Sequence, residues 1–454
     1  MVEGAKGGSH PNGWPGQVWL EGRTLVHLLA EQTRPTHMPR GPAKRTGPGF
    51  LNPAMAPART RSILLLNDAL EHGWLVRPDQ TIRVLDALCA TGVRIRRWRN
   101  EIPPHVQQRL RITANDLDQF ALDWAKISHS THPPVQSIEH EPEDDRYGRN
   151  SGQHFVNGLE FRNCDARIAM MENGYQWIDL DPFGSPVQFL DAALQGLSRT
   201  GVLEITATDT AALTGSSASS QARRYGAKGI VDVYAHDDAV RLLLATVATS
   251  AARLDKSVTP LMALFDGHHV RISCLIKTSR EKASKTGDMI GWRVREDDIP
   301  YRFVRHPTPE QIKRASGPLW IGPLWDKDIA GRMTEEKVLE LCQASPEEIE
   351  GMKIVGLEWS AEDVEYSTRE LRRSVRYISD AADLMSREHL LLNLDSLPRW
   401  AGIGGAPKLE KLIASLLEDG HCAARLPDLE PLLITDASFE VVLHHVRKNS
   451  PLTK

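Results

Sequence analysis

The stretch Trp177-Ile178-Asp179-Leu180-Asp181-Pro182-Phe183-Gly184 constrains this chain more than any other. A short apolar run ends in an acid, a proline and an aromatic. That order predicts the carboxyl end of a buried strand, the edge at which open α/β sheets place their active sites. Pro182 fixes its own φ and stiffens the turn. Asp181 offers an acceptor to an amino group, and Phe183 offers a ring face to a planar base. Such a corner suits methyl transfer to an exocyclic amine. A strand that merely ends in an Asp-Pro turn has the same residues, so the function depends on what the other strand ends carry.

Strands and helices alternate around that corner. Period-two and continuous apolar runs predict strands at 82–86, 111–116, 177–180, 201–208, 259–265 and 269–276. Helical spacing predicts helices at 61–70, 94–101, 120–127, 187–197 and 235–254. The second of these must stop before Pro103-Pro104. The alternation predicts an α/β fold, a largely parallel sheet with helices on both faces. Residues 1–60 are rich in Gly and Pro and are expected to wrap the surface, and the polar stretch 277–288 reads as a linker. Beyond it the pattern weakens, which predicts a smaller α+β domain and a division into 1–277 and 278–454.

The loop Leu85-Asp86-Ala87-Leu88-Cys89-Ala90-Thr91-Gly92 follows the first of those strands and opens a helix. A dinucleotide site would want G-x-G-x-x-G here, so that a pyrophosphate could approach the backbone. One glycine and one acid disfavour a nicotinamide enzyme and suit a ligand bearing an ammonium, such as the methionine part of S-adenosylmethionine. Asn115-Asp116 ends the next strand, where an acid accepts from ribose hydroxyls. In Asn163-Cys164-Asp165-Ala166, Asp165 is placed to meet an adenine amino group. A lone acid after a strand is also a common helix cap. Three in order, ahead of Asp181, favour the ligand.

The formal net charge is −4, which excludes indiscriminate polyanion binding, yet the basic residues are clustered. From 32 to 61 there are Arg34, Arg40, Lys44, Arg45, Arg59 and Arg61 and no acid. Further clusters are Arg94, Arg96, Arg97 and Arg99; Arg223, Arg224 and Lys228; and Arg369, Arg372, Arg373 and Arg376. Arg97 and Arg99 are expected on an exposed helical face. Five scattered cysteines form no CxxC pair, so neither a metal site nor a disulfide framework is expected, and a reducing cytoplasm is. No apolar run is long enough for a membrane span, and no secretory signal or protein-partner motif is visible.

At this point the chain resembles the tRNA (guanine-26-N2)-dimethyltransferases. The residues that carry the resemblance are Phe50-Leu51-Asn52-Pro53-Ala54-Met55, Asp86 to Arg94, Asn115-Asp116, Asp165-Ala166 and Asp179 to Pro186. It continues through Thr206-Ala207-Thr208-Asp209-Thr210-Ala211, Arg223-Arg224-Tyr225-Gly226-Ala227-Lys228 and Gly317-Pro318-Leu319-Trp320. The resemblance implies a class I S-adenosyl-L-methionine-dependent methyltransferase domain, Rossmann-like, and a C-terminal domain that helps to hold tRNA. It implies that Arg59, Arg94, Asp116, Asp165 and Ala166 contact S-adenosyl-L-methionine. Asp181 would be the catalytic acid, and Phe50 and Phe183 would sandwich the guanine. Arg45, Arg61, Arg223, Arg224 and Lys228 would then meet tRNA phosphates.

Asp179 shares a side of its strand with Asp181 and is open to a site role or a structural one. The chain departs from the family in lacking the paired CxxC motifs and in having Ala58-Arg59-Thr60 where Asn-Arg-Asp is usual. Near the C-terminus Ala423-Ala424-Arg425-Leu426-Pro427 replaces a more basic, aromatic segment. Alternatives are an adenine N6-methyltransferase acting on nucleic acid and a non-catalytic tRNA-binding protein on the same fold. Whether one or two methyl groups are added, whether guanine 27 is also modified, and the oligomeric state stay open.

Overall fold

The computed structural model describes residues 18–27, 51–131, 159–354, 361–427 and 431–450. They fall into two units of interleaved segments. The first takes Met1–Asp181, Ala192–Leu203 and Met333–Val375; the second takes Pro182–Asp191, Glu204–Arg332 and Arg376–Lys454. The chain therefore does not divide in one cut near residue 278: the helices Glu335–Cys342 and Ala361–Val375 pack on the N-terminal unit.

In the first unit, β1 (Val18–Glu21) and β2 (Thr24–His27) form a hairpin. Trp19 and Val26 of the hairpin are buried with Leu51 and Val93, so this N-terminal piece belongs to a core and does not simply wrap a surface. Helix α1 runs Ala56–His72 and ends at Gly73, five residues earlier at its start than the apolar spacing predicts. Pro57 fits there because the first-turn N–H groups have no helical partner. Then come β3 (Ile82–Asp86), α2 (Val93–Glu101), β4 (Leu110–Asn115), the helix Gln119–Thr131, β5 (Leu159–Arg162), the helix Ala166–Glu172 and β6 (Tyr175–Leu180). The strands are parallel, with Val84 opposite both Ile112 and Trp177, and Ile112 opposite Leu159. Their continuous burial suits a sheet covered on both faces.

The next strand, β7 (Leu197–Ala207), gives its first half to one unit and its second half to the other. In the second unit β8 (Lys256–Phe265) and β9 (Val270–Thr278) pair antiparallel. The sheet order is β5-β4-β3-β6-β7-β9-β8. Numbered by chain order this is 3-2-1-4-5-7-6; the dinucleotide-binding order 3-2-1-4-5-6 is all parallel, whereas here an antiparallel strand is inserted before the edge. The stretch 277–288 is not a linker. It holds the end of β9, the helix Arg280–Ser284 and the turn Thr286–Met289. Beyond it lie two small antiparallel sheets, β10 (Ile290–Val294), β11 (Arg302–Val304) and β12 (Ala315–Trp320), then β13 (Leu390–Asn393), β14 (Ala423–Arg425) and β15 (Leu432–Thr435). The second packs on the helices Leu409–Glu418 and Phe439–Asn449 through Leu412, Leu416, Leu433, Val442 and Val446, the α+β character expected of this part.

Helix α2 corrects the expectation of an exposed basic face. Arg94, Arg96, Arg97 and Arg99 are all buried. Arg97 donates from Nε and Nη2 to the two oxygens of Glu101, 2.7 Å each, and from Nη1 to Glu21 at 3.1 Å and Thr60 at 2.9 Å. Glu21 in turn takes both prongs of Arg59, at 2.6 and 2.5 Å. Burial alone would raise the Glu21 carboxyl; Arg59 and Arg97 more than reverse this and hold it below the usual range. Buried charges persist only when paired, and here two arginines and two glutamates close on one another. Replacing Arg97 by alanine strands Glu101 in the core and leaves Glu21 to Arg59 alone. Equilibrium urea unfolding of Arg97→Ala is expected to show a loss of about 3–5 kcal/mol, the cost of leaving buried charges uncompensated.

Candidate active site

The loop after β3 sets one wall of the site. Gly92 has φ +74°, and a Cβ there would lie 2.8 Å from the Cβ of Ala125, so only glycine lets α2 start against that helix. Ala90 is also left-handed, at φ 46°, and its N–H donates to Asp116 Oδ2 at 2.8 Å. Asp116 Oδ1 accepts from the Asp118 N–H, also at 2.8 Å. Each carboxylate oxygen has two lone pairs, so Asp116 can hold the loop and still accept from a ribose. Asn115 ties the neighbouring strand ends together, donating to the carbonyls of Ala87 and Cys164 at 3.0 Å.

The centre of the first unit's site is a guanidinium. Arg94 Nη2 donates to Asp181 Oδ2 at 2.8 Å, and Nη1 lies 3.2 Å from Asp179 Oδ2. Asp179 is fully buried; Asp181, just past the strand end, has a side chain 22% exposed. Sequence reasoning left Asp179 undecided and missed this pairing. The two-residue alternation that put both acids on one side of β6 was the available signal.

Asp86 completes the cluster. Its carboxyl is pushed up to about 8, chiefly by burial, against the pull of Arg94 and with help from the charges of Asp179 and Asp181. Its buried Oδ1 has no hydrogen-bond partner. A positively charged ligand would satisfy that oxygen and draw the proton off, so the first strand end fits the ammonium-bearing methionine part of S-adenosyl-L-methionine.

The remaining expected residues divide. Asp165 is the N-cap of the helix Ala166–Glu172, accepting from the Arg167 N–H at 2.8 Å, and Ala166 is buried behind it. The Arg167 side chain and that N–H hold the Asp165 carboxyl at about 2. Arg59 is committed to Glu21, as above. Arg61 is buried and donates to the Ser374 carbonyl at 3.1 Å, which is not the exposed position that a phosphate contact requires. Phe50 and Arg45 lie outside the described residues.

In the second unit Phe183 is 62% exposed, while Arg223 and Lys228 are exposed, Lys228 donating to the carbonyls of Ile312 and Lys313 at 3.1 Å. Arg224 pairs with Asp209 at 2.9 Å. The last basic cluster is partly spent on acids, Arg372 on Glu335 at 2.9 Å and Arg373 on Glu370 at 3.1 Å. Among the described residues no group of three or more metal-ligating side chains occurs, and no helix is long and apolar enough to cross a membrane.

Comparison with known proteins decides the family. The model of the N2,N2-dimethylguanosine tRNA methyltransferase family matches residues 31–387. This chain belongs to that family. It is 30% identical to the tRNA (guanine(26)-N(2))-dimethyltransferase of Thermococcus kodakarensis over 88% of this chain and 93% of that protein. It is 29% identical to the Pyrococcus furiosus protein of the same name over 91% and 96%. The solved structure of Trm1 from Pyrococcus horikoshii, a complex with S-adenosyl-L-methionine, superimposes with a TM-score of 0.71 at 25% identity, covering 95% of this chain and 99% of that one. The class I methyltransferase fold with an additional C-terminal domain is thus the fold of this family member.

The raised Asp86 carboxyl has a signed consequence. The folded state keeps its proton up to about 8, whereas the unfolded chain releases it near the ordinary 3.8. Between those limits the folded state binds more protons, so stability falls as pH rises through the window. Urea midpoints taken across it should decline for the wild type, and Asp86→Asn should flatten that component.

Proposed function

We propose that this chain transfers methyl groups from S-adenosyl-L-methionine to the exocyclic N2 of guanine at position 26 of tRNA, giving N2-methyl- and N2,N2-dimethylguanosine. The observation that carries the reading is the Asp181 carboxylate. Arg94 fixes one oxygen, and the other belongs to a side chain that solvent reaches. A fixed acceptor at a strand end is what an amino nucleophile needs. Guanine N2 is a poor nucleophile because its lone pair is delocalised into the ring. Asp181 accepts from one N2 hydrogen and aims the lone pair, with the Pro182 carbonyl as a second acceptor. S-adenosyl-L-methionine supplies an already activated sulfonium methyl group when bound.

Holding the nitrogen in line can supply roughly 7–11 kcal/mol of the barrier. Asp86 and Asp116 are assigned to the methionine and ribose parts, with Ala166 and the Asp165 turn beside the base. Arg94 acts as the brace of Asp181. Unstacking the target base costs a few kcal/mol, and stacking on Phe183 and Phe50 at about 1–3 kcal/mol per ring offsets it. Arg223 and Arg224 are assigned to tRNA phosphates. The five free cysteines suit a reducing compartment, and the reaction is placed in the cytoplasm.

The test supplies unmodified tRNA and methyl-labelled S-adenosyl-L-methionine and identifies the labelled nucleosides by mass. Label is expected in N2-methyl- and N2,N2-dimethylguanosine, with kcat lower by roughly 10²-fold or more in Asp181→Ala. Label in methyladenosine would replace guanine by adenine as the target, and tRNA binding without label would leave a non-catalytic protein. Arg223→Ala is expected to weaken tRNA binding and to reduce the slope of log affinity against log salt by about 1.

A further inference from the structure

The turn that bears Phe183 is clasped from within the second unit by Thr208, Tyr225 and Asp209, which have no assigned role. Gly184 donates its N–H to Thr208 Oγ1 at 2.7 Å, and the Thr208 N–H returns to the Gly184 carbonyl at 2.9 Å. One residue on, Ser185 Oγ lies 2.9 Å from the Tyr225 hydroxyl, which donates to Asp209 Oδ1 at 2.7 Å. Tyr225 has one hydroxyl proton and a carboxylate only accepts, so the Ser185 hydroxyl is the donor to Tyr225. The Val187 N–H reaches back to Ser185 Oγ at 3.5 Å. Arg224 Nη1 closes the far end on Asp209 Oδ2. The bonds run in one direction from Val187 through Ser185 and Tyr225 to Asp209, with the arginine charge holding the last acceptor.

Tyr225 is buried, whereas Phe183 is mostly exposed. Gly184, at φ +81° with nothing within 4 Å of a Cβ, adds no steric hold to the turn. Hydrogen bonds from the strand end and from the helix Ala218–Tyr225 hold the turn instead.

We infer that Tyr225 and Asp209 are positioning residues, which set the plane of the Phe183 ring by holding the 182–187 turn through Ser185. The inference rests on the stacking role proposed for Phe183. It predicts a defect in turnover that binding does not share. Tyr225→Phe keeps the buried ring and removes both bonds of the hydroxyl. Its kcat is expected to fall roughly 10²-fold, the scale of a misplaced reacting group. The KM for tRNA and the affinity for S-adenosyl-L-methionine are expected to stay within about twofold of wild type, and the unfolding midpoint within about 4 °C.

A double-mutant cycle with Phe183→Ala separates positioning from stability, since residues that act through one another are not additive. Tyr225→Phe should add less than about twofold to the loss in the Phe183→Ala background. An equal loss in both backgrounds overturns the inference, as does an active wild type with an unimpaired Tyr225→Phe. A wild type that leaves guanine N2 unlabelled overturns the stacking reading and the inference with it. Should Tyr225→Phe fail to fold, Ser185→Ala breaks the same chain from the turn side and is scored in the same cycle.

Discussion

Two neighbouring strands of one sheet, β3 and β6, carry three acids at their carboxyl ends, and all three answer to the same guanidinium. Asp179 and Asp181 are bound directly by Arg94, and Asp86 is within its field. Carboxylates brought together in low dielectric repel, and one of them must be neutralised by a proton or a cation. Arg94 binds two of the three, and burial, with the charges of its two neighbours, pushes the Asp86 carboxyl up. The geometry of Asp181 and the fit of the first loop to a cation are two outcomes of that single division of charge.

Arginine is required for this by shape as well as charge. Its planar fork reaches two acceptors from one position, whereas an ammonium is a point charge. The same property recurs nearby in Arg97, which spans Glu21 and Glu101 while bonding Thr60. Helix α2 is thus a row of internal connectors. It ties the N-terminal hairpin to the sheet at one end and the sheet's acids to one another at the other.

The strand ends were legible because β3 and β6 are apolar runs that stop at an acid, and because the helix that follows β3 opens at a single glycine. The exposure of α2 was misread for a physical reason. A helix carrying Arg94, Arg96, Arg97 and Arg99 looks solvated when water is its only available partner, but Glu21 lies 76 residues from Arg97 in sequence. The Arg94–Asp181 pair, 87 residues apart, was hidden in the same way. The polarity of 277–288 hides its helix, whose one local signal is Ser279, a capping residue type, and the Ser279 side chain does accept from the Lys282 N–H. Long-range pairing leaves no local trace, whereas caps and periodicities do.

The three-carboxyl cluster also bears on what leaves the site. Carboxyls that share one guanidinium hold a cation better than a neutral molecule of the same outline. On the proposed reaction the donor arrives with a sulfonium charge and departs as an uncharged thioether. The cluster would therefore favour the charged species over the spent one, while the ammonium assigned to Asp86 is common to both. The loss of one positive charge beside these carboxyls would weaken the hold on the by-product relative to the donor.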